Sequence, residues 1–248
     1  MLRLLLVTLL CCAPVSAWCF GGSGCGAGAC VDCHSLTPDE AMKLLPPGAE
    51  QVTSVKLSDV GGLWEVKGRA NDKMFTAYID FSKKYLIAGR ILRLRDGVDL
   101  SHSLDVNELN TQGAFLIGDA QAAVKVFVFT DVKCHFCQNM HPELYKVVEQ
   151  NPQIAFYVQL LPLLTDQPTV NKIVCSGDRQ VLDDAMAGKL PTTPDLDCPA
   201  VDKSVAFAKR WNIRSTPTLV LPDGKILPGG RNATALLEVL QEYLPAKN

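Results

Sequence analysis

Cysteines are the residues of this chain whose spacing points most clearly to chemistry. Cys30 and Cys33 are separated by two residues and followed by His34, and a second such pair, Cys134 and Cys137, lies about a hundred residues later. A Cys-x-x-Cys pair can close a disulfide, exchange disulfides with another molecule or supply half of a metal site. With a histidine directly behind it, the pair is also the attachment sequence of a c-type haem.

The first residues predict export, which changes the expected state of the cysteines. Arg3 precedes a short apolar run, and Val15–Ala17 form a small-residue cleavage site, so residues 1–17 read as a signal peptide cleaved near Ala17. Ten cysteines minus the two in this segment leave eight. In an oxidising compartment such as the periplasm, disulfides are favoured over a reduced zinc cluster. The net charge of −2, without a long charged block, gives no indication of nucleic-acid binding.

The pair Cys134 and Cys137 has the context of a reactive dithiol. The apolar run at residues 124–129 predicts a buried strand, and the segment after Cys137 predicts a helix as far as Glu149. Cys134 then lies at a helix N-terminus, where free amide groups and the helix dipole stabilise the thiolate that attacks disulfides. Cys137, one turn later, can resolve a mixed disulfide. The alternative is an inert, stabilising disulfide.

Thr216 and Pro217 lie just ahead of a predicted strand in the segment RSTPTLVLPDG. Thioredoxin-like folds place a cis-proline opposite the dithiol at such a position, so we expect a cis peptide bond between these two residues. The backbone beside it would offer an edge on which a substrate peptide lies as an added strand. The alternative is an ordinary trans proline at the start of a strand.

These motifs resemble those of the periplasmic DsbC/DsbG family of disulfide isomerases. FTDVKCHFCQNMHPEL resembles the family's active-site helix, STPTLVLPDGKILPG its cis-proline loop, and GGLWEVKG with YIDFSKKYLIAGRI its N-terminal dimerisation sheet. The resemblance extends from about Leu36 to the C-terminus. The dipeptide His135-Phe136 differs from the more familiar Gly-Tyr of the isomerase, and the residues between the cysteines tune the potential of a dithiol.

The resemblance implies roles for individual residues. Cys134 matches the attacking cysteine, Cys137 its buried partner, and Thr216 with Pro217 the substrate-binding cis-proline dipeptide. It also implies partners: exported proteins that carry wrong disulfides, a membrane thiol reductase that keeps the dithiol reduced, and a second copy in a homodimer. The thiol chemistry itself needs no cofactor.

A second disulfide is implied by the same resemblance. Cys175 and Cys198 match the structural disulfide of the family's helical insertion. The alternative, a second redox relay, is less favoured because neither cysteine has the Cys-x-x-Cys context at a helix start.

The predicted fold combines α+β and α/β parts. A sheet as small as the N-terminal one needs a cover, which is either a partner chain or the rest of its own chain. The predicted order is a signal peptide (1–17), a Cys/Gly-rich segment with a short helix (18–48), a small antiparallel dimerisation sheet (49–98), a linker helix (99–117) and a thioredoxin-like catalytic domain with a helical insertion (118–248).

The first Cys-x-x-Cys pair lies outside the resemblance and leaves three interpretations. Thioether bonds from Cys30 and Cys33 would attach a haem with His34 as its iron ligand. The pair could instead be an extra dithiol or, with Cys19 and Cys25, form two disulfides; zinc is disfavoured by the compartment. The rival function is therefore a haem-c electron-transfer protein or thiol reductase whose thioredoxin-like domain is the redox partner.

Overall fold

Two β-sheets organise the part of the chain that the computed structural model describes, residues 34–71 and 73–245. Sheet A is antiparallel, with strands in the order β1 (Gln51–Leu57), β2 (Leu63–Ala70), β3 (Lys73–Asp80) and β4 (Leu86–Ile87). Sheet B has the order β5 (Asp99–Ser103), β10 (Lys225–Pro228), β9 (Thr218–Val220), β7 (Val124–Thr130), β8 (Ile154–Leu160) and β6 (Phe115–Ile117).

Six α-helices accompany the sheets in the described residues. They are α1 (Pro38–Leu44), α2 (His135–Gln150), α3 (Gln167–Ser176), α4 (Arg179–Met186), α5 (Pro199–Arg210) and α6 (Ala233–Leu240). Short 3₁₀ helices occur at Val106–Glu108 and Gln241–Tyr243. In these same residues, no helix has the length and apolar character needed to cross a membrane.

Helix α1 begins where its capping residues predict. The Glu40 amide donates to Thr37 Oγ1 (3.2 Å), and the Thr37 amide donates to Glu40 Oε2 (2.9 Å), which completes the predicted capping box. The helix buries Ala41 against β1, and Trp64 of β2 belongs to the same small apolar cluster. One face of sheet A is therefore covered by α1.

The opposite face of sheet A packs on the chain's own second sheet. Tyr78 is buried, and its hydroxyl donates to the carbonyl of Leu100 in β5 (2.7 Å). Lys225 of β10 reaches across to Asp59 in the β1–β2 turn (3.0 Å). The second face of sheet A is therefore covered by the rest of its own chain, which is one of the two covers that the sequence leaves open.

Residues 99–117 form two strands, joined by a short 3₁₀ helix and turns, in place of the predicted linker helix. β5 pairs with β10, and β6 pairs with β8, so both segments complete edges of sheet B. Gly113, between them, adopts a φ of +76°, a conformation that an α-helix excludes. The backbone hydrogen bonds that β5 and β6 form with strands distant in the chain stabilise the extended conformation more than the weak helical spacing of the leucines stabilises a helix.

Sheet B and its helices form the mixed α/β fold that the sequence predicts. The central strand β7 runs parallel to β8 and antiparallel to β9, and its residues Val126 and Val128 are fully buried. Helix α2 follows β7 directly and packs on β8 and α6. Helices α3, α4 and α5 form the helical insertion between β8 and β9.

The helical insertion is closed by a disulfide between Cys175 near the end of α3 and Cys198 at the start of α5. We expect the Cys175→Ala/Cys198→Ala variant to lose about 3 kcal/mol of unfolding free energy, because the unfolded chain gains the entropy of an open loop. Urea denaturation under non-reducing conditions measures the loss. A Cys134→Ala/Cys137→Ala variant is the matched control, and equal stability of wild type and the insertion variant would contradict the expectation.

Candidate active site

The junction of β7 and α2 places Cys134 at a helix N-terminus. Cys134 is the N-cap of α2; its amide donates to the carbonyl of Asp131 (3.1 Å), and the Gln138 amide donates to its carbonyl (2.9 Å). The first amides of a helix have no partner within it, and together with the dipole they favour a negative charge at this end. Cys134 therefore lies at the end of α2 where the amides have no partner within the helix.

Cys137 lies one turn further along α2, and both cysteines are free thiols. Burial, followed by the hydrogen bond with the Cys134 side chain, raises the pKa of the Cys137 thiol to about 11. Cys137 is 1% exposed and Cys134 is 5% exposed, so both residues are buried and Cys134 is slightly more accessible. Because the raised pKa keeps the proton on Cys137 at neutral pH, Cys134 is the candidate for attack on a disulfide.

The structure brings the Thr216–Pro217 dipeptide against the dithiol. Its peptide bond is cis, and Pro217 leads directly into β9. The Cys134 thiol donates to the carbonyl of Thr216 at 3.3 Å. Two segments that lie about eighty residues apart in the chain thus meet at one sulfur, as the sequence motifs predict.

Asp131 is a member of this region that sequence reasoning missed. It is fully buried, three residues before Cys134, and its carboxylate ties the loop before α2 to the turn that follows β8. Oδ2 accepts the amides of Leu163 (2.9 Å), Leu164 (2.7 Å) and Thr165 (3.0 Å). Oδ1 accepts the Lys133 amide (2.8 Å) and the Thr165 hydroxyl (2.5 Å).

Two opposing effects set the pKa of the Asp131 carboxyl. Burial by itself raises it, but the hydrogen bonds from the Thr165 hydroxyl and from the amides of Leu164, Thr165 and Lys133 outweigh burial, and the pKa is lowered. Asp131 is therefore a carboxylate at neutral pH whose charge is satisfied by donors. It is not available as a proton donor for the dithiol.

The remaining predicted cysteines lie elsewhere. Cys175 and Cys198 are paired with each other, as described above. Cys30 and Cys33 lie outside the described residues, so the haem, dithiol and zinc interpretations stay predictions; His34, half-buried, is where the described chain begins. From His34 onward, the described residues contain no group of three or more histidines, cysteines or acidic residues placed to hold a metal ion.

A Cys-x-x-Cys pair that opens a helix after a central strand, opposite a cis-proline, defines the class of thioredoxin-fold thiol–disulfide oxidoreductases. Comparison with known families agrees: the model described as a thioredoxin-like domain matches residues 117–244. This match spans just over half of the chain, and the chain belongs to the thioredoxin-like domain family.

Among curated proteins, the chain is similar to thiol:disulfide interchange proteins named DsbC. It is 26% identical to that of Salmonella typhimurium, covering 78% of this chain and 82% of the relative. For that of Haemophilus influenzae the identity is 25%, with 66% and 75% covered. Among solved structures, the catalytic domain of Proteus mirabilis ScsC is 21% identical, covers 56% of this chain and 93% of its own, and has a TM-score of 0.44.

Proposed function

We propose that this thiol–disulfide oxidoreductase is an isomerase that corrects wrong disulfides in exported proteins, and that it works in the periplasm. The observation that carries the proposal is the unequal dithiol: Cys134 lies at a helix N-terminus beside Thr216, while Cys137 is buried and protonated. The similarity to interchange proteins named DsbC over most of the chain supports the same activity.

The chemistry follows from this inequality. The Cys134 thiolate attacks one sulfur of a substrate disulfide, a mixed disulfide forms, and the other substrate sulfur leaves as a thiolate that takes up a proton. If a substrate thiolate then displaces Cys134, the disulfide has moved and no net oxidation occurs. If Cys137 loses its proton and displaces Cys134 from the substrate, the substrate is reduced by two electrons and the protein is oxidised.

The burial of Cys137 favours isomerisation over net reduction of the substrate. A thiol whose pKa is about 11 is rarely a thiolate at neutral pH, so Cys137 attacks the mixed disulfide slowly and leaves time for a substrate thiol to react. Isomerisation also requires the free dithiol at the start of each cycle. We therefore include a membrane thiol reductase among the proposed partners.

A homodimer is the proposed assembly. The segment around β4 exposes large apolar side chains: Tyr85 is 70% exposed, and Ile87, Leu92 and Leu94 are also exposed. β4 itself has only two residues, so it leaves most of the outer edge of β3 without a strand partner in sheet A. Such an edge is a site at which a second copy could add its own strand.

The direct test of the proposed function uses a scrambled multi-disulfide enzyme as substrate. We expect the reduced protein, at catalytic concentration, to restore the activity of the substrate enzyme, with no net change in the number of substrate disulfides. A protein that only reduces the scrambled disulfides, without recovery of the native activity, would contradict isomerisation while leaving the oxidoreductase assignment in place.

A Cys137→Ser variant separates the two outcomes of the mechanism. Without the resolving thiol, we expect the mixed disulfide between Cys134 and substrate to accumulate, net reduction to fall to background, and isomerisation of the scrambled substrate to persist at a reduced rate. Non-reducing electrophoresis and mass spectrometry identify the mixed disulfide. The double variant Cys134→Ser/Cys137→Ser is the control and should trap nothing; trapping by the double variant would point to another cysteine.

A further inference from the structure

Two arginines flank the cis-proline without an acidic partner. Arg214 lies two residues before Thr216 and is exposed; Arg231 follows β10 and is half-buried. Among the residues that the structure describes, no acidic side chain forms an ion pair with either guanidinium. Arg231 donates to two backbone carbonyls, those of Gly230 (3.0 Å) and Asp96 (3.5 Å). Two positive charges beside the dithiol are therefore open to an anionic partner.

Arg231 reaches the cis-proline through a single glycine. The Gly229 amide donates to the Pro217 carbonyl (2.9 Å), and a Cβ atom built on Gly229 would lie 3.4 Å from Arg231 Nη1. The carboxylate of Asp96, whose backbone Arg231 contacts, is already paired with Arg93 (2.6 Å). The guanidinium of Arg231 therefore lies beside the cis-proline loop, and the neighbouring carboxylate is held by another cation.

Arg214 brings a second positive charge to the same loop. It lines a cavity of about 210 Å³ together with Ser215, Thr218 and Arg90. The one acidic residue among the residues that line this cavity is Asp99, whose side chain is 3% exposed and pairs with Arg90 at 2.8 Å. The cavity therefore carries more positive than negative charge, and the charge of Arg214 is the one without a carboxylate.

These charges matter because the attacking group is itself negative. A thiolate that approaches a disulfide flanked by carboxylates meets like-charge repulsion, and cations close to both offset it. A peptide that lies as an added strand along the cis-proline loop advances about 3.3 Å per residue. When its cysteine is level with Thr216, whose carbonyl contacts the Cys134 thiol, a side chain two residues away is level with Arg214. The partner chemistry that fits is a carboxylate about two residues from the substrate cysteine.

We propose that Arg214 and Arg231 are specificity-determining residues that favour substrate disulfides with acidic residues about two positions from the reacting cysteine. The inference rests on the proposed function and names the charge class of protein substrate that the same site prefers. The two arginines act on the approach of the substrate, while the exchange of bonds stays with Cys134 and Cys137.

The test compares two peptides in single-turnover reduction. Each carries one cysteine in a disulfide with 2-mercaptoethanol; the residues two positions before and after it are glutamates in one peptide and glutamines in the other. The Cys134–Cys137 dithiol gives two electrons to the peptide disulfide and becomes a disulfide, while the peptide thiol and 2-mercaptoethanol are released. At low salt, we expect the wild type to react about fivefold faster with the glutamate peptide, which corresponds to roughly 1 kcal/mol. In about 1 M salt, where the screening length falls to about 3 Å, the two rates should converge.

The Arg214→Gln/Arg231→Gln variant should lose this preference or reverse it, because the repulsion between thiolate and carboxylates then remains. The ratio of the two rates is the readout, so a smaller folded fraction would lower both rates alike. Arg214→Lys/Arg231→Lys keeps the charges and should keep most of the preference. Lys43→Gln/Lys84→Gln removes the same net charge at two exposed lysines outside residues 117–244 and should leave the ratio unchanged.

The outcomes separate this inference from the proposed function. Equal reduction of both peptides by the wild type at low salt overturns the inference and leaves the proposed function in place. A glutamate preference that persists in Arg214→Gln/Arg231→Gln also overturns it, because the preference then comes from other residues. Failure of the wild type to reduce either peptide overturns the proposed function and this inference with it.

Discussion

A Cys134→Ser variant is expected to show no disulfide exchange above the uncatalysed background, in both the isomerisation and the reduction assays. Serine keeps the size of the side chain, but its hydroxyl cannot form a disulfide with the substrate. Cys137 cannot take over the attack. It is buried, and burial raises the pKa of its thiol, so Cys137 is rarely a thiolate at neutral pH.

The same variant separates catalysis from simple binding of unfolded chains. If the protein only holds unfolded chains, the wild type and the variant should suppress the aggregation of a denatured substrate equally well. If it is an isomerase, the variant should no longer restore the native activity of the substrate. A thermal melt close to that of the wild type shows that the variant is folded. If Cys134→Ser still reshuffled disulfides, the active pair would have to be sought elsewhere, with Cys30 and Cys33 as the next candidates.

Signals that are local in the chain predicted most of the site. A continuous apolar strand followed by Cys134 at a helix start needs only a few neighbouring residues to be recognised. The capping box at Thr37 and Glu40 is equally local, and the structure contains it. Thr216 and Pro217 could be assigned only because thioredoxin-like folds place such a dipeptide opposite a dithiol that is distant in the chain.

Features that depend on distant partners could not be predicted in the same way. β5 is a strand because it pairs with β10, more than a hundred residues later, while the leucines scattered over residues 99–117 suggested a helix. Likewise, the sequence around Asp131 gives no indication that its oxygens accept amides from a turn some thirty residues downstream. The cover on the second face of sheet A is also set by tertiary packing, through Tyr78 and Leu100.

Asp131 provides the second large expected effect, on stability. Asp131→Ala leaves the buried amide of Thr165 and the partly buried amides of Lys133 and Leu164 without their acceptor, and a buried donor without a partner costs roughly 1–3 kcal/mol. We therefore expect a loss of about 4 kcal/mol of unfolding free energy at neutral pH, measured by urea denaturation. Asp119→Asn, at an exposed aspartate that accepts one amide, is the control and should change stability by less than about 1 kcal/mol.

The pH dependence distinguishes a charged acceptor from mere packing. Because the folded state lowers the pKa of Asp131, its carboxylate contributes stability that is fully present above the unfolded pKa, near 4, and is lost as pH falls through the folded pKa. Asp131→Asn preserves the shape but cannot accept on both sides or titrate. The stability gap between wild type and Asp131→Asn should therefore narrow from neutral pH to about pH 3. A gap that stays constant would mean that Asp131 acts through its shape alone, and the turn beside Cys134 would not depend on its charge.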